Sequence, residues 1–376
     1  MEEWKTYKLG DLCNIHRGAS PRPIQKFLSD KGQPWVKISD ATSDSSRFIS
    51  TTKEFIIEDG IKHSVIVTPG TLIVSNSATP GLPKIMKIEA CVHDGWLIID
   101  QIRDCVLKEY LYYSFINIRR NLSNQANGSV FQNLKTEIVK NFEIKIPSLS
   151  KQRLIVDVLS SIEDKIDLNN RINHNLEEQA DGIVSSLLNV GTTVLRLSDI
   201  CKYVSQKIDC QSLTLDNYIS TENMVPSRGG VTKSSNVPTG TAIEYSSGDI
   251  LVSNIRPYFQ KIWKATYSGG CSNDVLCFRS STNSPSFLYH LLRQNSFFDH
   301  VMAGAKGSKM PRGDKAQIMN WTFVLSEDWE AMESKLSIID KKVALLRVQN
   351  LMLIELRDSV LPRLMSGELK INDLTC

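Results

Sequence analysis

A largely apolar stripe from Ile155 to Leu187 constrains this chain more than any other feature. Ile155, Leu159, Ile162, Ile166, Asn169, Asn173, Leu176, Ala180, Ile183 and Leu187 follow three-and-four spacing, the seam of a long helix packed against another helix. The stripe returns at Met332, Leu336, Ile339, Val343, Leu346, Asn350, Leu353, Arg357, Val360 and Leu364, mostly apolar and in the same phase. Two such stripes in one chain are natural partners. At 1.5 Å per residue, residues 151–188 rise about 57 Å as a helix, too long for one globular core and suited to a spacer. Asn173 and Asn350 fall at equivalent seam positions, where a buried amide costs stability but fixes register and orientation. The competing expectation is an exposed amide at a frayed seam.

The 376 residues suffice for two domains plus helices, each with its own core. Forty-four Lys and Arg against 41 Asp and Glu leave a net charge of +3. That balance neither demands nor excludes nucleic acid, so any basic surface has to be local. The eight cysteines form no C-x-x-C pair, as expected of reduced thiols in a cytoplasmic protein rather than of a disulfide framework or zinc site. The start, Met1-Glu-Glu-Trp-Lys5, lacks an apolar leader, and no run approaches the length of a membrane span. The expectation is a protein neither exported nor membrane-bound.

Residues 1–149 read as short strands and turns, with candidate strands at Trp35–Ile38, Glu54–Ile57, Thr71–Ser75, Trp96–Ile99 and Phe142–Ile146. One helix, Glu109–Leu122, interrupts them; Pro147 closes the domain, and Ser150 is a plausible N-cap of the long helix. After the linker Gly191-Thr-Thr193 the pattern starts again. Leu9-Gly-Asp-Leu12 is echoed by Leu197-Ser-Asp-Ile200, and Gly70-Thr-Leu-Ile-Val-Ser-Asn76 by Gly248-Asp-Ile-Leu-Val-Ser-Asn254. Tyr110-Leu-Tyr-Tyr-Ser-Phe115 matches Phe287-Leu-Tyr-His-Leu-Leu292, and Gly128-Ser129 matches Gly307-Ser308. One unit of about 180 residues, a globular domain and then a long helix, is used twice, a period far above that of solenoid repeats. Antiparallel pairing of the helices would give a bar with a similar head at each end about a pseudo-two-fold axis. Duplex DNA has matching two-fold axes, so such heads can address two unlike half-sites, with the bar as a ruler.

These landmarks together resemble the specificity subunit of a Type I restriction-modification system, along essentially the whole chain. The carriers are Lys8-Leu-Gly-Asp-Leu12 and Arg196-Leu-Ser-Asp-Ile200, then Ile144-Lys-Ile-Pro147 before Lys151-Gln-Arg-Leu-Ile155, and above all the tail Leu361-Pro-Arg-Leu-Met-Ser-Gly-Glu-Leu369. Phe323-Val-Leu-Ser-Glu-Asp328 departs from the pattern by lacking the usual Pro and Gln, which leaves the start of the second helix open. The resemblance implies an α+β fold: two similar mixed α/β target-recognition domains separated by two long antiparallel coiled-coil helices, a pseudo-two-fold internal duplication. The expected boundaries are 1–149 and 191–327 for the recognition domains, 150–190 and 328–367 for the helices, and 368–376 for a tail. It also implies double-stranded DNA, two methyltransferase subunits and, through them, restriction subunits as partners. S-adenosylmethionine, ATP and Mg would then be used by those partners, with no cofactor bound by this chain. The outer helix faces, including Glu177 and Glu178, are the expected docking surface for the methyltransferase.

No catalytic site can be assembled from the sequence. There is no Pro-Pro to complete an adenine methyltransferase motif and no G-x-x-x-x-G-K-[ST] loop, Gly304-Ala-Lys-Gly-Ser-Lys309 having the wrong spacing. Glu143-Ile-Lys145 and Glu368-Leu-Lys370 offer half of a nuclease motif without a convincing upstream Asp, and such tripeptides arise by chance. The His93-Asp94 pair becomes Asn273-Asp274 in the second repeat, so a turn role for both aspartates is expected rather than general-base chemistry.

DNA contact has better support. Phosphates are met by Lys, Arg, Ser, Asn and backbone amides, and base edges by Arg, Asn and Gln. The candidates are Arg17, Ser20, Arg22 and Lys26 in one basic loop, then Asn76 and Lys84 matched in the second repeat by Asn254, Arg256, Tyr258, Gln260 and Lys261. A further matched pair of Gly-opened loops brings Asn127, Gln132 and Lys135, and Lys306, Lys309 and Arg312. A solvated surface charge is the ordinary fate of any one of these cations; agreement between two copies favours contact. Tyr112, Tyr113, Phe115, Phe287 and Tyr289 are expected in the core rather than as base-stacking platforms. The reading is therefore a non-catalytic DNA-recognition subunit, weighed against a coiled-coil scaffold that reads no sequence and a divergent nuclease or methyltransferase.

Overall fold

The computed structural model describes residues 4–42, 46–125 and 134–369. They form two compact units, Met1–Leu168 with Asn350–Cys376, and Asn169–Gln349. Two helices dominate, Leu149–Asn189 and Glu333–Ser366, and each unit holds a part of both.

In the first unit, one five-stranded sheet runs Asn14–Arg17, Trp96–Asp100, Leu72–Ser75, Pro83–Met86, Phe48–Ile49. A second runs Leu28–Ser29, Glu54–Ile56, Gln33–Val36, Ala90–Val92, Val65–Val67. The strand Leu72–Ser75 is buried at every position, which explains its continuous apolar run, because alternate residues serve two cores. Leu72 and Val74 join Tyr110, Phe115, Ile155, Leu159 and Leu364, while Ile73 joins Val36, Ala90 and Val92 beneath the other sheet. Burying each of these aliphatic side chains is worth about 2 kcal/mol, so the strand ties domain and long helices into one folding unit.

The second unit repeats the plan with shorter sheets. Cys201–Tyr203, Val275–Ser280, Ile250–Ser253 and Ile262–Lys264 make one, and Lys207–Asp209, Thr241–Tyr245, Gly269–Cys271 and Tyr218–Ile219 the other. Here Ile250 and Val252 pack with Phe287, Leu291, Ala180 and Leu336, and Leu251 with Tyr245 and Cys271. The strands Leu72–Ser75 and Ile250–Ser253 are each preceded by a left-handed glycine, Gly70 at φ 91° and Gly248 at φ 94°, a conformation a Cβ would penalise. In each unit a two-stranded ribbon closes the domain, Lys5–Lys8 with Glu143–Ile146 and Thr193–Arg196 with Thr322–Leu325. The α+β duplication expected from the landmarks is the observed fold.

Several local expectations shift. The expected strand Trp35–Ile38 is Gln33–Val36, because Ile38 opens a short helix, Ile38–Thr42, whose Asp40 accepts the Lys37 amide at 2.8 Å. The first long helix starts at Leu149, so Ser150 lies inside it and is no N-cap. The second follows a 3-10 turn at Trp329–Met332. The helix expected at Glu109–Leu122 spans Lys108–Gln125, and its counterpart Pro285–Leu292 is interrupted before Asn295–Ala303. Tyr112, Tyr113, Phe115, Phe287 and Tyr289 are buried core residues. No helix among the described residues is long and apolar enough to cross a membrane.

Candidate nucleic-acid interface

In the first domain the basic loop converges on Asp94. Ser20 Oγ donates to its Oδ1 at 2.8 Å and Arg22 Nη2 to Oδ2 at 3.1 Å, with the Arg22 side chain 80% exposed. His93 completes the group. Gly95 N–H donates to its Nδ1 at 2.8 Å, which assigns the ring proton to Nε2, 3.2 Å from Asp94 Oδ1. Burial lowers the His93 pKa, aided by the Lys37 and Arg22 charges against the pull of Asp94. Burial alone would raise the Asp94 carboxyl, but the Ser20 hydrogen bond and the charges of His93 and Arg22 hold it below the usual range. The group borders a cavity of about 800 Å³ that Gln25, Lys37 and Glu54 also line. Arg17 and Lys26 are exposed nearby in sequence, and Lys135 is exposed ahead of a short helix, Thr136–Lys140. Asn127 and Gln132 lie outside the described residues.

Three expected contact residues are instead interior. Asn76 is fully buried: its Nδ2 donates to the Asp94 carbonyl at 3.3 Å, its N–H to Gly95 O at 2.8 Å, and its carbonyl accepts from Leu134 N–H at 2.7 Å. Asn254 is its structural twin, donating through Nδ2 to Gly313 O at 3.2 Å and through its N–H to Asp274 O at 2.9 Å. Each holds the turn before the next strand, which is why both repeats retain it. Lys84 is buried with its ammonium bonded to the Ser46 carbonyl. None of the three presents its polar group to a duplex.

The remaining candidates of the second domain come together. Arg256 N–H donates to Pro311 O at 2.8 Å, and Lys306 and Arg312 exchange backbone hydrogen bonds of 2.9 Å across the left-handed Gly307. The loop carrying Arg256, Tyr258, Gln260 and Lys261 thereby lies against the loop carrying Lys306, Lys309 and Arg312. Tyr258 is half exposed and Lys309 exposed. Lys306 pairs with Asp314 at 3.1 Å and Arg312 with Asp274 at 3.2 Å. Lys261 Nζ donates to Thr221 O at 2.6 Å, and burial together with the Arg256 charge lowers its pKa against the opposing pull of Glu222. Asp274 thus pairs with Arg312 as Asp94 pairs with Arg22.

The sequence reading missed two residues here, Arg228 and Asn295. Arg228 Nη2 donates to Asn295 Oδ1 at 2.5 Å, and Gln260 Nε2 donates to the same oxygen at 3.3 Å. The turn-forming Ser227-Arg-Gly-Gly230 was the available signal.

On the long helices, Asn173 and Asn350 are buried as seam residues are, at 7% and 8% exposure. Within the second unit the resolved amide pair is Asn169 with Gln349, Nδ2 to Oε1 at 2.9 Å. There Glu177 meets Arg347 at 2.7 Å, and Asn169 and Glu177 rise in number as Gln349 and Arg347 fall, so the helices run antiparallel. Glu177 also lies 3.6 Å from Arg293 and is committed inside the fold rather than displayed for docking, whereas Glu178 is 67% exposed.

Comparison with known proteins agrees with this architecture. Residues 1–178 match the family described as the Type I restriction modification DNA specificity domain. The chain is 23% identical to the Type I restriction enzyme MjaIX specificity subunit of Methanocaldococcus jannaschii, over 99% of this chain and 95% of that one. It is 22% identical to the HindI specificity subunit of Haemophilus influenzae, over 50% of this chain and 41% of that one. The crystal structure of a Type I restriction-modification S subunit from M. genitalium superposes with a TM-score of 0.54 at 14% identity, covering 96% of each chain, and shares the fold. With the family's domain in its first 178 residues and a relative of the same kind aligned along nearly its whole length, the chain is similar throughout to the specificity subunits of Type I restriction-modification systems.

Proposed function

We propose that this chain reads the target sequence of a Type I restriction-modification complex without catalysing a reaction itself. Its domains, residues 1–149 and 191–327, each read one half of a bipartite, asymmetric site in double-stranded DNA. The helices 150–190 and 328–367 set the spacing of the halves and dock two methyltransferase subunits, and 368–376 form a tail. Restriction subunits join through the methyltransferase. The assembled complex acts as an adenine-N6 methyltransferase and ATP-dependent endonuclease, with S-adenosylmethionine, ATP and Mg used by the partner subunits in the cytoplasm.

The observation that carries this reading is the coexistence of one scaffold with two different surfaces. Asn76 and Asn254 hold the same turn, yet the first domain gathers Ser20, Arg22 and His93 on Asp94 while the second gathers Arg256, Gln260, Lys306 and Arg312. A duplicated core with unlike polar loops suits two unlike half-sites, because base identity is read by side chains on a common backbone frame.

The test is a genome-wide map of adenine methylation in cells with and without this gene, the methyltransferase partner being present. Loss of one motif made of two short unlike halves is the expected result. An unchanged map with an active partner rejects the specificity role.

A further inference from the structure

The second domain holds a stretch of backbone that L-residues disfavour at four positions. Ser227 (φ 55°), Arg228 (62°), Arg256 (49°) and Gln260 (50°) are all left-handed, at about 1 kcal/mol each relative to ordinary backbone. They form one construction. Ser227 N–H donates to Phe259 O at 2.8 Å and Arg228 N–H to Gln260 O at 3.0 Å, stitching two turns together, while Arg256 N–H ties them to Pro311.

The first domain makes the corresponding turn: Ser75 N–H donates to Leu82 O as Ser253 N–H does to Lys261 O. Its left-handed residues are Ala78 and Gly81, small side chains that carry no polar group into the site. The second domain accepts the same backbone and places long polar side chains on it. Strain retained at such positions points to use of the side chains.

Arg228 differs from the paired cations of the two domains. Arg22, Arg279, Lys306 and Arg312 each face an aspartate at 2.6 to 3.2 Å. Arg228 forms no ion pair among the described residues: Asn295 fixes one arm of its fork, and its guanidinium lies 6.0 Å from the Phe298 ring centroid. Burial lowers its pKa and the neighbouring Arg293 adds to this, against the smaller opposing effects of Asp181 and Tyr289. A half-buried guanidinium oriented by an amide and lacking a carboxylate suits a bidentate anion.

We propose that Arg228 seats a phosphate of the DNA backbone at the second domain's half-site, with Asn295 as its positioning residue. This rests on the DNA-recognition reading above. Arg256 and Gln260, on the same clamp, are then held at a set distance from that phosphate, as base-reading side chains have to be.

The test uses the full chain with its methyltransferase partner, titrated by fluorescence anisotropy onto a duplex carrying the motif and onto a scrambled duplex, over a series of salt concentrations. Arg228→Gln is expected to bind both duplexes about tenfold more weakly, with the slope of log K against log salt reduced by about 0.9. Arg228→Lys should restore the salt slope on both duplexes and part of the affinity, since an ammonium holds a phosphate as a point charge without the bidentate geometry and cannot reproduce a forked base contact. Asn295→Ala should weaken binding in the parent and add nothing to Arg228→Gln. An unchanged salt slope in Arg228→Gln, or a loss confined to the motif duplex, overturns the phosphate seat. If Arg228→Gln fails to fold, Arg228→Lys decides: retained discrimination and slope support the seat, and lost discrimination rejects it. A bipartite methylation motif together with an unchanged Arg228→Gln slope rejects the seat alone, whereas absence of the motif rejects the underlying reading.

Discussion

His290 Nε2 lies 3.0 Å from Asp340 Oδ1 on the second long helix, and its Nδ1 lies 2.7 Å from Asp181 Oδ1 on the first. The other repeat places Tyr113 and Glu163 at the counterpart positions, Tyr113 Oη donating to Glu163 Oε2 at 3.0 Å. Each domain thus grips a long helix through a buried polar contact at the same place, using different chemistry. Cations complete both sites: Lys264 on Asp340 and Arg293 on Asp181 in one unit, Arg357 and Arg47 on Glu163 in the other.

The histidine site makes the second unit sensitive to pH. Burial alone would lower the His290 pKa, but the hydrogen bonds its ring donates to Asp181 and Asp340, and their charges, raise it. A raised cationic group stabilises fully below its unfolded value of about 6.5, and that contribution is lost as pH climbs through the folded value. Asp181 and Asp340 are lowered because the His290 and Arg293 or Lys264 contacts outweigh burial, so their contribution is lost only in acid. Thermal melts should show stability falling on the alkaline side, and His290→Gln should flatten that limb. A limb that keeps its slope in His290→Gln would assign it to other groups.

Tyr113→Phe removes the shorter of two tyrosine hydrogen bonds to Glu163, 3.0 Å against 3.5 Å from Tyr112. Burial raises the Glu163 pKa despite Arg357, Tyr113 and Arg47, so this carboxylate is already short of solvation. Loss of the hydroxyl should cost about 2 kcal/mol, seen as a lower denaturant midpoint with an unchanged m-value.

Asn76→Ala and Asn254→Ala should each lower the stability of their own domain by about 2 kcal/mol. Lys84→Met should leave the salt dependence of DNA binding unchanged, since its ammonium is enclosed at 4% exposure. A salt slope reduced by about 0.9 in Lys84→Met would show that the side chain reaches a phosphate after all.

Asp94→Asn should alter recognition at one half of the motif and spare the other, because Ser20 and Arg22 are both anchored on its carboxylate. Methylome sequencing of the variant reads both halves at once. Altered specificity at both halves contradicts independent reading by the two domains.

Replacing Asn169 and Gln349 together by Leu should raise the melting temperature, as apolar seam residues do, while weakening register specificity. The expected sign of lost register is methylation of sites whose spacer is one base pair longer or shorter.

The helices, the duplication and the cores were settled by the sequence itself, because they follow from periodicity. A stripe such as Ile155, Leu159 and Ile166 or a run such as Leu72-Ile-Val-Ser75 has one favourable way to leave water, and its repetition announces a second copy. Even the asparagines Asn76 and Asn254 were visible as matched positions, although not as the buried turn holders they are. What a polar side chain faces is set by residues distant in the chain, and there the tertiary structure decided. Arg228 and Asn295 stand 67 residues apart in sequence, and Glu177 and Arg347 stand 170 apart. No local pattern distinguishes an enclosed Lys84 from an exposed Lys309, since both are cations in Gly- and Pro-containing stretches of sequence. Burial, the stitched left-handed turns and the partners of each charge emerge only when the strands pair, and these determine which cations remain free to meet DNA.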